Sequence, residues 1–593
     1  MPVEHPRHGR LRNPGFSGYI GNRHWSFPFV SIYIMKQLCR KSKGLFEKIL
    51  KIIEIKFERI YYFSIFFRNN LDISSFPSHN YSGTPNRRNP SKKGISMFRP
   101  LDLVAIFLFL GAMAAMGIYF SHRNTSTEEY FLGNRAFPGW AVGISMLGTS
   151  ISSVTFLAIP AAAYILDYRQ AVSNLALPVA AVLAVAFFIP LFRRGRITSA
   201  FEYLEARYGV AMRSYAALSF VILQLIRLAS VLFLVSIPVA SMFGCHIVWV
   251  ILIGGLVVGA YTVLGGIEAV IWTDVVQTVI LLAGGLLCIG MILFLLPGGL
   301  GQVIEIGRAF DKFSPGPISF RLDDRTFFVV LLLGVVNFTT EYAGNQNVVQ
   351  RYIAARSTRE ARKATLLCMC MSVPTWMSFF FLGSCLFAYY HVFPSAEVAA
   401  LEADQVLPYF ILHKTPPFVG GVIISACLAA AMSSLDSSIN AISTVVTIDF
   451  VKRFGRPRSD AQYLKIAKGI ACAAGLFMIL GAIGINYIPK ESMNDFGLIV
   501  GSMFGGGMLA VFLLGFFSTR VGNRAILTAT AAALLCNLVL MFNTFYGFLP
   551  IHPYWTTIAV NGVLWPVGYL LGFLWPNRRD LSGLTVWTGQ PPA

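Results

Sequence analysis

Five polar residues, Ser433, Ser434, Asp436, Ser437 and Ser438, interrupt the hydrophobic segment that runs from about Pro417 to Phe450. At 3.6 residues per turn, Ala430, Ser433, Ser434 and Ser437 share one helical face, with Asp436 on its flank one turn from Ser433. Hydroxyls and a carboxylate at membrane depth are costly unless they meet protein, water or an ion. Small residues that let helices approach closely account for single serines; they do not account for a carboxylate. A second polar cluster, Gly148–Thr155, precedes Pro160 and combines glycine, β-branched residues and hydroxyls, a mixture that weakens a helix. A Ser/Thr kink with packing value only is the plain reading. An unwound turn would instead free backbone carbonyls, hard oxygen ligands that are tolerated at this depth where they line a cavity. One cluster rich in carbonyls and one rich in hydroxyls together suit an alkali cation, which binds oxygens with little directional demand.

These clusters need helices in lipid to hold them. The 593-residue chain is 55% hydrophobic and 13% charged, with mean hydropathy +0.63, far more apolar length than one soluble core uses. It reads as an all-α polytopic membrane protein of about thirteen transmembrane helices: 101–120, 138–166, 171–192, 212–243, 246–264, 268–297, 325–345, 365–391, 417–450, 464–485, 494–518, 525–548 and 554–575. The net charge of +20 does not mark a nucleic-acid binder, because residues 1–96 hold 17 Lys/Arg against 5 Asp/Glu and supply +12 of it. This basic extension reads either as a surface-binding segment or, preferably, as a mis-assigned start, with Met97 leading into the first span. Residues 97–576 form the membrane domain and 577–593 a short cytoplasmic tail. With the first span starting outside, Arg193–Arg196, the run Arg351 to Lys363, Lys452 to Arg458, Arg520 with Arg524, and Arg578–Arg579 fall in the cytoplasm, as the positive-inside rule asks. The C-terminus is then cytoplasmic and the location is the plasma (inner) membrane. The nine cysteines are scattered without CxxC pairs or histidine partners and read as packing residues.

The chain resembles the sodium:solute symporter family, whose members include sodium-coupled sugar, proline and sialic acid transporters. Besides the two clusters, the resemblance rests on Tyr130–Gly133, Ile197–Tyr208, Gly265–Asp274, Val348–Tyr352 and Gly505–Leu509, in that order and spacing over about 101–575. It implies a LeuT-type 5+5 inverted repeat, spans two to six and seven to eleven, with flanking helices. It also implies Na+ as coupling ion, no organic cofactor, a small-molecule solute, and no need for an oligomer. The implied sodium ligands are the carbonyls of Gly148, Ile151 and Ala430 and the hydroxyls of Ser433 and Ser434. A second sodium position in the sialic acid transporters matches Ser433, Asp274, Asp436 and Ser437. Asp436 is a departure, since those relatives carry serine there. It fits a second cation ligand, a proton carrier or a counter-ion for Arg227.

Arg227, near the middle of the fourth span, presents a planar fork that suits a carboxylate; an internal acid, Asp436, Asp274 or Glu341, is the alternative partner. By resemblance to the sialic acid transporters, Arg227 holds the solute carboxylate, Ser152 and Thr155 supply hydroxyls, and Asn174 stands for a glutamine one methylene longer. Glu341 and Tyr342 fall near the region that gates sugar-binding relatives, and a glutamate there weighs against an anionic solute. Sialic acid or another sugar acid is the first reading; a neutral sugar, an amino acid or a monocarboxylate are the alternatives. No HExxH, GxSxG or P-loop motif supports an enzyme. A channel needs no broken helix facing a hydroxyl-bearing one, and a transporter-like nutrient sensor is the remaining rival.

Overall fold

The computed structural model describes residues 99–121, 126–195, 197–487 and 506–589, and these are helical throughout apart from short connections. In chain order the main elements are α1 (Pro100–Ser121), α2 (Gly139–Ser150), α3 (Ile159–Ile165), α4 (Ala200–Tyr208), α5 (Val210–Phe243), α6 (Ile247–Leu295), α7 (Phe327–Gly344), α8 (Gln346–Ala354), α9 (Thr358–Val392), α10 (Val419–Val445), α11 (Asp460–Ile485), α12 (Met508–Phe517), α13 (Asn523–Tyr546) and α14 (Trp555–Leu574). Among the described residues ten helical runs are long and apolar enough to cross a membrane, and the pair formed by α2 and the run Val154–Ile165 brings the number to eleven.

The expected count of thirteen is not confirmed by the described helices, for two reasons. Spans 246–264 and 268–297 form one helical run, α6, of 49 residues. At 1.5 Å per residue a straight run of that length measures about 74 Å, more than twice a bilayer core of about 30 Å. It is broken at Gly266, whose φ of 59° and ψ of −164° are open to glycine and closed to most L side chains. The bend is tight enough that a Cβ on Gly265 would stand 2.3 Å from that of Ala269. The expected span 494–518 is described only from Gly506 onward, and the extension 1–96 lies wholly outside the described residues.

Helix α10 is the axis of the bundle. In its apolar stretch 83% of residues are buried within the protein, against 28% for α1 and for α14. The polar band Ser433–Ser438 thus faces other helices and not lipid. The N-terminal end of α10 is capped from a neighbour: Asp102 of α1, fully buried, accepts hydrogen bonds from the N–H groups of Phe418 (2.6 Å) and Gly421 (2.9 Å) and pairs with Arg99. A carboxylate at a helix N-terminus satisfies donors that the helix leaves unpaired. The two helices meet so closely at Gly421 that a Cβ would lie 2.5 Å from the Asp102 backbone. Gly421→Ala is expected to lower stability by about 1–3 kcal/mol through overpacking, read as a drop in melting temperature in detergent.

The Ile197–Tyr208 motif is explained by the surface that carries the C-terminal tail. Ser199 opens α4 with a capping box completed by Glu202. Arg207, fully buried, donates to the carbonyls of Gly515 and Ser518 and so caps the C-terminus of α12. Tyr203 donates to the Leu584 carbonyl, Arg194 to that of Thr585, and the Val586 N–H to that of Phe516. The tail at 577–589 is thereby fastened across the ends of α4 and α12. On the other surface Lys312 caps α3 by donating to the Tyr164 (2.7 Å) and Leu166 (2.9 Å) carbonyls, and its burial pushes its pKa down to about 8.

Candidate cation and solute site

The expected break in the second span is present. Helix α2 ends at Ser150, Ile151 is extended (φ −96°, ψ 125°), Ser152 is non-helical, Ser153 returns to helical geometry, and the two halves are bent by 60°. Two successive non-helical residues interrupt the helical ladder at mid-membrane, although the Ile151 N–H still bonds the Leu147 carbonyl and the Ser152 carbonyl still accepts from Phe156 N–H. Ser434 of α10 meets the break, its hydroxyl donating to the carbonyls of Ile151 (3.1 Å) and Thr149 (3.2 Å). Ser433, one residue before it, donates to the Asp274 carboxylate. Gly148 backs onto this pair: a Cβ there would lie 2.7 Å from Ser433 Oγ and 2.4 Å from Thr278 Oγ1. Ala430, fully buried, stands one turn before Ser434 on the same face. The fold brings Gly148, Ile151, Ser433 and Ser434 into one locus of carbonyl and hydroxyl oxygens.

Arg351 is a correction. It was grouped with the cytoplasmic basic run; instead it is 1% exposed and reaches inward from α8. Its guanidinium donates to Asp274 Oδ2 (2.8 Å), Ser437 Oγ (2.7 Å), Ser145 Oγ (2.8 Å) and the Asn347 carbonyl (2.8 Å). Asp274, also fully buried, accepts from Ser145 as well (2.5 Å). The three residues expected at a second cation position adjoin one another. Arg351 joins Asp274 to Ser437, Ser437 donates to Asp436 Oδ1 from its N–H (2.6 Å) and its hydroxyl (3.4 Å), and the Tyr261 hydroxyl donates to Asp436 Oδ2 (3.0 Å). The spacing of Ser145 and Thr149, one turn apart on the face that carries Gly148, was the available clue to this network; Arg351 offered only its charge within an otherwise weakly polar motif.

Arg227 donates from Nη2 to the Thr149 carbonyl (2.9 Å), the oxygen that Ser434 also uses. Among the described residues it forms no ion pair within 4 Å; the charged groups whose fields reach it are Glu341 and Arg351. Asp436 and Asp274 are therefore not its counter-ions. Ser152 and Thr155 lie in the break itself, where the Ser152 hydroxyl accepts from Val154 N–H and the Thr155 hydroxyl, at 3.4 Å, from Ser152 N–H. Glu341 accepts from Asn345 (2.6 Å) at the end of α7, and the Tyr342 carbonyl receives the Tyr352 hydroxyl. Asn174 is buried in the run Arg169–Ala176, which packs so tightly on α7 that a Cβ on Gly334 would meet the Ser173 carbonyl at 2.3 Å. No hydrogen bond joins Asn174, Glu341 or Tyr342 to Arg227 among the described residues.

The model of the sodium:solute symporter family matches residues 130–532, more than half of the chain and the part that holds the whole cluster. The chain belongs to the sodium:solute symporter family. It is 34% identical to the sodium/sialic acid symporter SiaT of Proteus mirabilis over 76% of this chain and 92% of that protein. To the sodium/sialic acid symporter NanT of Aliivibrio fischeri it is 32% identical, over 82% and 95%. A solved Na+-coupled sialic acid symporter, in a substrate-bound outward-open state, matches with TM-score 0.75 at 31% identity, over 81% of this chain and 99% of that one. The transporter Mhp1 in a closed conformation matches at TM-score 0.50 and 13% identity, a likeness of fold alone. As a member of this family the chain is a multi-pass membrane transporter whose coupling ion is Na+.

Proposed function

We propose that this symporter uses the inward Na+ gradient to take up sialic acid or a closely related sugar acid across the inner membrane, with its C-terminus in the cytoplasm and without need of an oligomer. Relatives at 34% and 32% identity that carry sialic acid support the solute class. The observation that carries the mechanism is the Thr149 carbonyl, shared by Ser434 and Arg227. Na+ held by the carbonyls of Gly148, Ile151 and Ala430 and the hydroxyls of Ser433 and Ser434 draws the broken helix against α10. The solute carboxylate, bound beside it, replaces that carbonyl as partner of the Arg227 guanidinium, with Ser152, Thr155 and Asn174 as hydroxyl and amide contacts. Both ligands favour the same arrangement of the break, which is what coupling requires, since a ligand of equal affinity for two states shifts nothing. Glu341 and Tyr342, at the end of α7, complete the solute contacts on the side of the gate. The reading includes a LeuT-type inverted repeat, in which α2 with the run Val154–Ile165 begins the first half and α7 the second.

Two results test it. In proteoliposomes Ser434→Ala is expected to cut Na+-driven N-acetylneuraminate uptake at least tenfold while the protein still inserts and purifies; uptake indifferent to replacing Na+ by choline would refute the reading. Arg227→Lys keeps the charge and loses the fork, so solute binding is expected to weaken by at least tenfold while half-saturation by Na+ shifts less. Thermal-shift titration of purified protein with N-acetylneuraminate, with and without Na+, separates the two ligands.

A further inference from the structure

The C-terminal end of α12 is completed by residues from elsewhere in the chain. A helix leaves its last four carbonyls without intrahelical partners. In α12 the N–H of Ser518 serves the first of them, Leu514. The Gly515 carbonyl takes Arg207 Nε of α4 (3.3 Å), that of Phe516 the Val586 N–H (2.9 Å) and that of Phe517 the Trp587 indole N–H (2.7 Å). The tail therefore supplies two of the four partners. Its segment 581–589 is built as a unit: the Gly583 N–H donates to the Gly589 carbonyl (2.7 Å), and the N–H groups of Thr585 and Thr588 each donate to the other's hydroxyl (3.1 and 3.2 Å). A compact loop that carries its own bonds loses little further entropy on docking.

Helix α12 also closes the solute site on the side of the tail. Phe512 stands so near the junction of α7 and α8 that a Cβ on Gly344 would lie 2.2 Å from its ring, and Glu341 and Tyr342 are within one turn of Gly344. One turn further along α12, Phe516 packs on Phe188 and Phe192 of the helical run Arg169–Phe192, with ring centroids 5.1 and 5.7 Å apart. Solute leaving toward the tail must pass between α12 and these partners. The tail spans that seam. Besides its two bonds to α12, it accepts from Tyr203 of α4 at the Leu584 carbonyl (2.9 Å) and from Arg194, just beyond the run Arg169–Phe192, at the Thr585 carbonyl (3.2 Å).

We propose that residues 581–589 form a latch, docked while the tail side of the transporter is closed and released when α12 parts from α7 to let solute out. This rests on the proposed placement of the C-terminus in the cytoplasm, where the solute is released. A contact made in one of two states shifts their ratio by its whole free energy, so a cap that fits only the closed seam favours the closed state. Arg207, buried and bonded to α12 without help from the tail, stays in place when the latch leaves.

The test reads the seam through a native thiol. Cys368 of α9 is 2% exposed and lies beside Tyr342, two residues from the contact of Gly344 with Phe512. The rate of its alkylation by N-ethylmaleimide is followed by mass spectrometry of its peptide, in purified full-length transporter in detergent, with the exposed Cys370 as internal reference. Trp587→Phe keeps a ring and loses the indole N–H, and Val586→Pro loses the backbone N–H. Each is expected to speed alkylation of Cys368 relative to Cys370 at least threefold, and the double variant at least tenfold. A ratio unchanged or lowered in the double variant, whatever its melting temperature, makes the tail a plain helix cap and overturns the latch. If the double variant does not fold, the same ratio in Trp587→Phe decides. The readout needs neither Na+ nor solute, so a failure of Na+ coupling in the choline experiment leaves this result standing, and an unchanged ratio leaves the coupling reading standing.

Discussion

Arg351→Ala is expected to abolish transport and to destabilise the protein by about 3–5 kcal/mol, because it strands the buried Asp274 carboxylate. Arg351 makes four hydrogen bonds that tie together α8, α2, α6 and α10 at the level of the cation locus. Its loss removes the guanidinium fork and leaves Ser145, Ser437 and Asp274 to find other partners. Arg351→Lys supplies charge without the planar fork and is expected to recover stability better than activity. The double variant Arg351→Ala, Asp274→Asn is expected to melt higher than Arg351→Ala alone, since it leaves no unpaired charge. A double variant that melts lower would show that Asp274 is not the group Arg351 neutralises. Melting is read by fluorescence-detected size exclusion in detergent, and activity by uptake in proteoliposomes.

Gly148→Ala is expected to raise half-saturating Na+ at least tenfold while the fold persists. The added Cβ would lie 2.4 Å from Thr278 Oγ1, 2.7 Å from Ser433 Oγ and 3.5 Å from the Asp274 carbonyl. Neither hydroxyl belongs to a long flexible chain, and both are engaged, Thr278 with the Ile144 carbonyl and Ser433 with Asp274. Relief comes only by turning these hydroxyls away or by pushing α2 off α6 and α10, and either moves a cation ligand. Overpacking of this size costs about 1–3 kcal/mol, which a membrane protein of this size tolerates more easily than its ion site does. Thr278→Ala in the Gly148→Ala background removes the closer clash and is expected to restore part of the Na+ affinity. Unchanged Na+ dependence in Gly148→Ala would mean that this glycine does not adjoin the ion.

Much of this arrangement was legible before any coordinates. The break at Gly148–Thr155 follows from hydroxyls, β-branched residues and glycine in sequence, a local conflict with helix geometry that needs no distant partner to be recognised. The polar face of α10 follows from a 3.6-residue period. Ser433 and Ser434 were singled out because a hydroxyl in lipid demands a partner, and the fold supplies the carbonyls of Thr149 and Ile151. The turn in α6 was legible as well, since the expected boundary between spans 246–264 and 268–297 falls on Gly266, where the helical run breaks.

What the sequence by itself determined is the membrane class, the two clusters and the type of ion they suit, because these rest on composition and on contacts between residues a turn apart. What only the tertiary structure decided is which charge answers which. Arg351 lies 77 residues from Asp274 and neutralises it, whereas Arg227 reaches the Thr149 carbonyl and no acid. Asp436 takes a hydroxyl from Tyr261, 175 positions away, besides what its neighbour Ser437 donates. Coulomb interaction depends on separation in space and on burial, and neither is written in the spacing of residues along the chain.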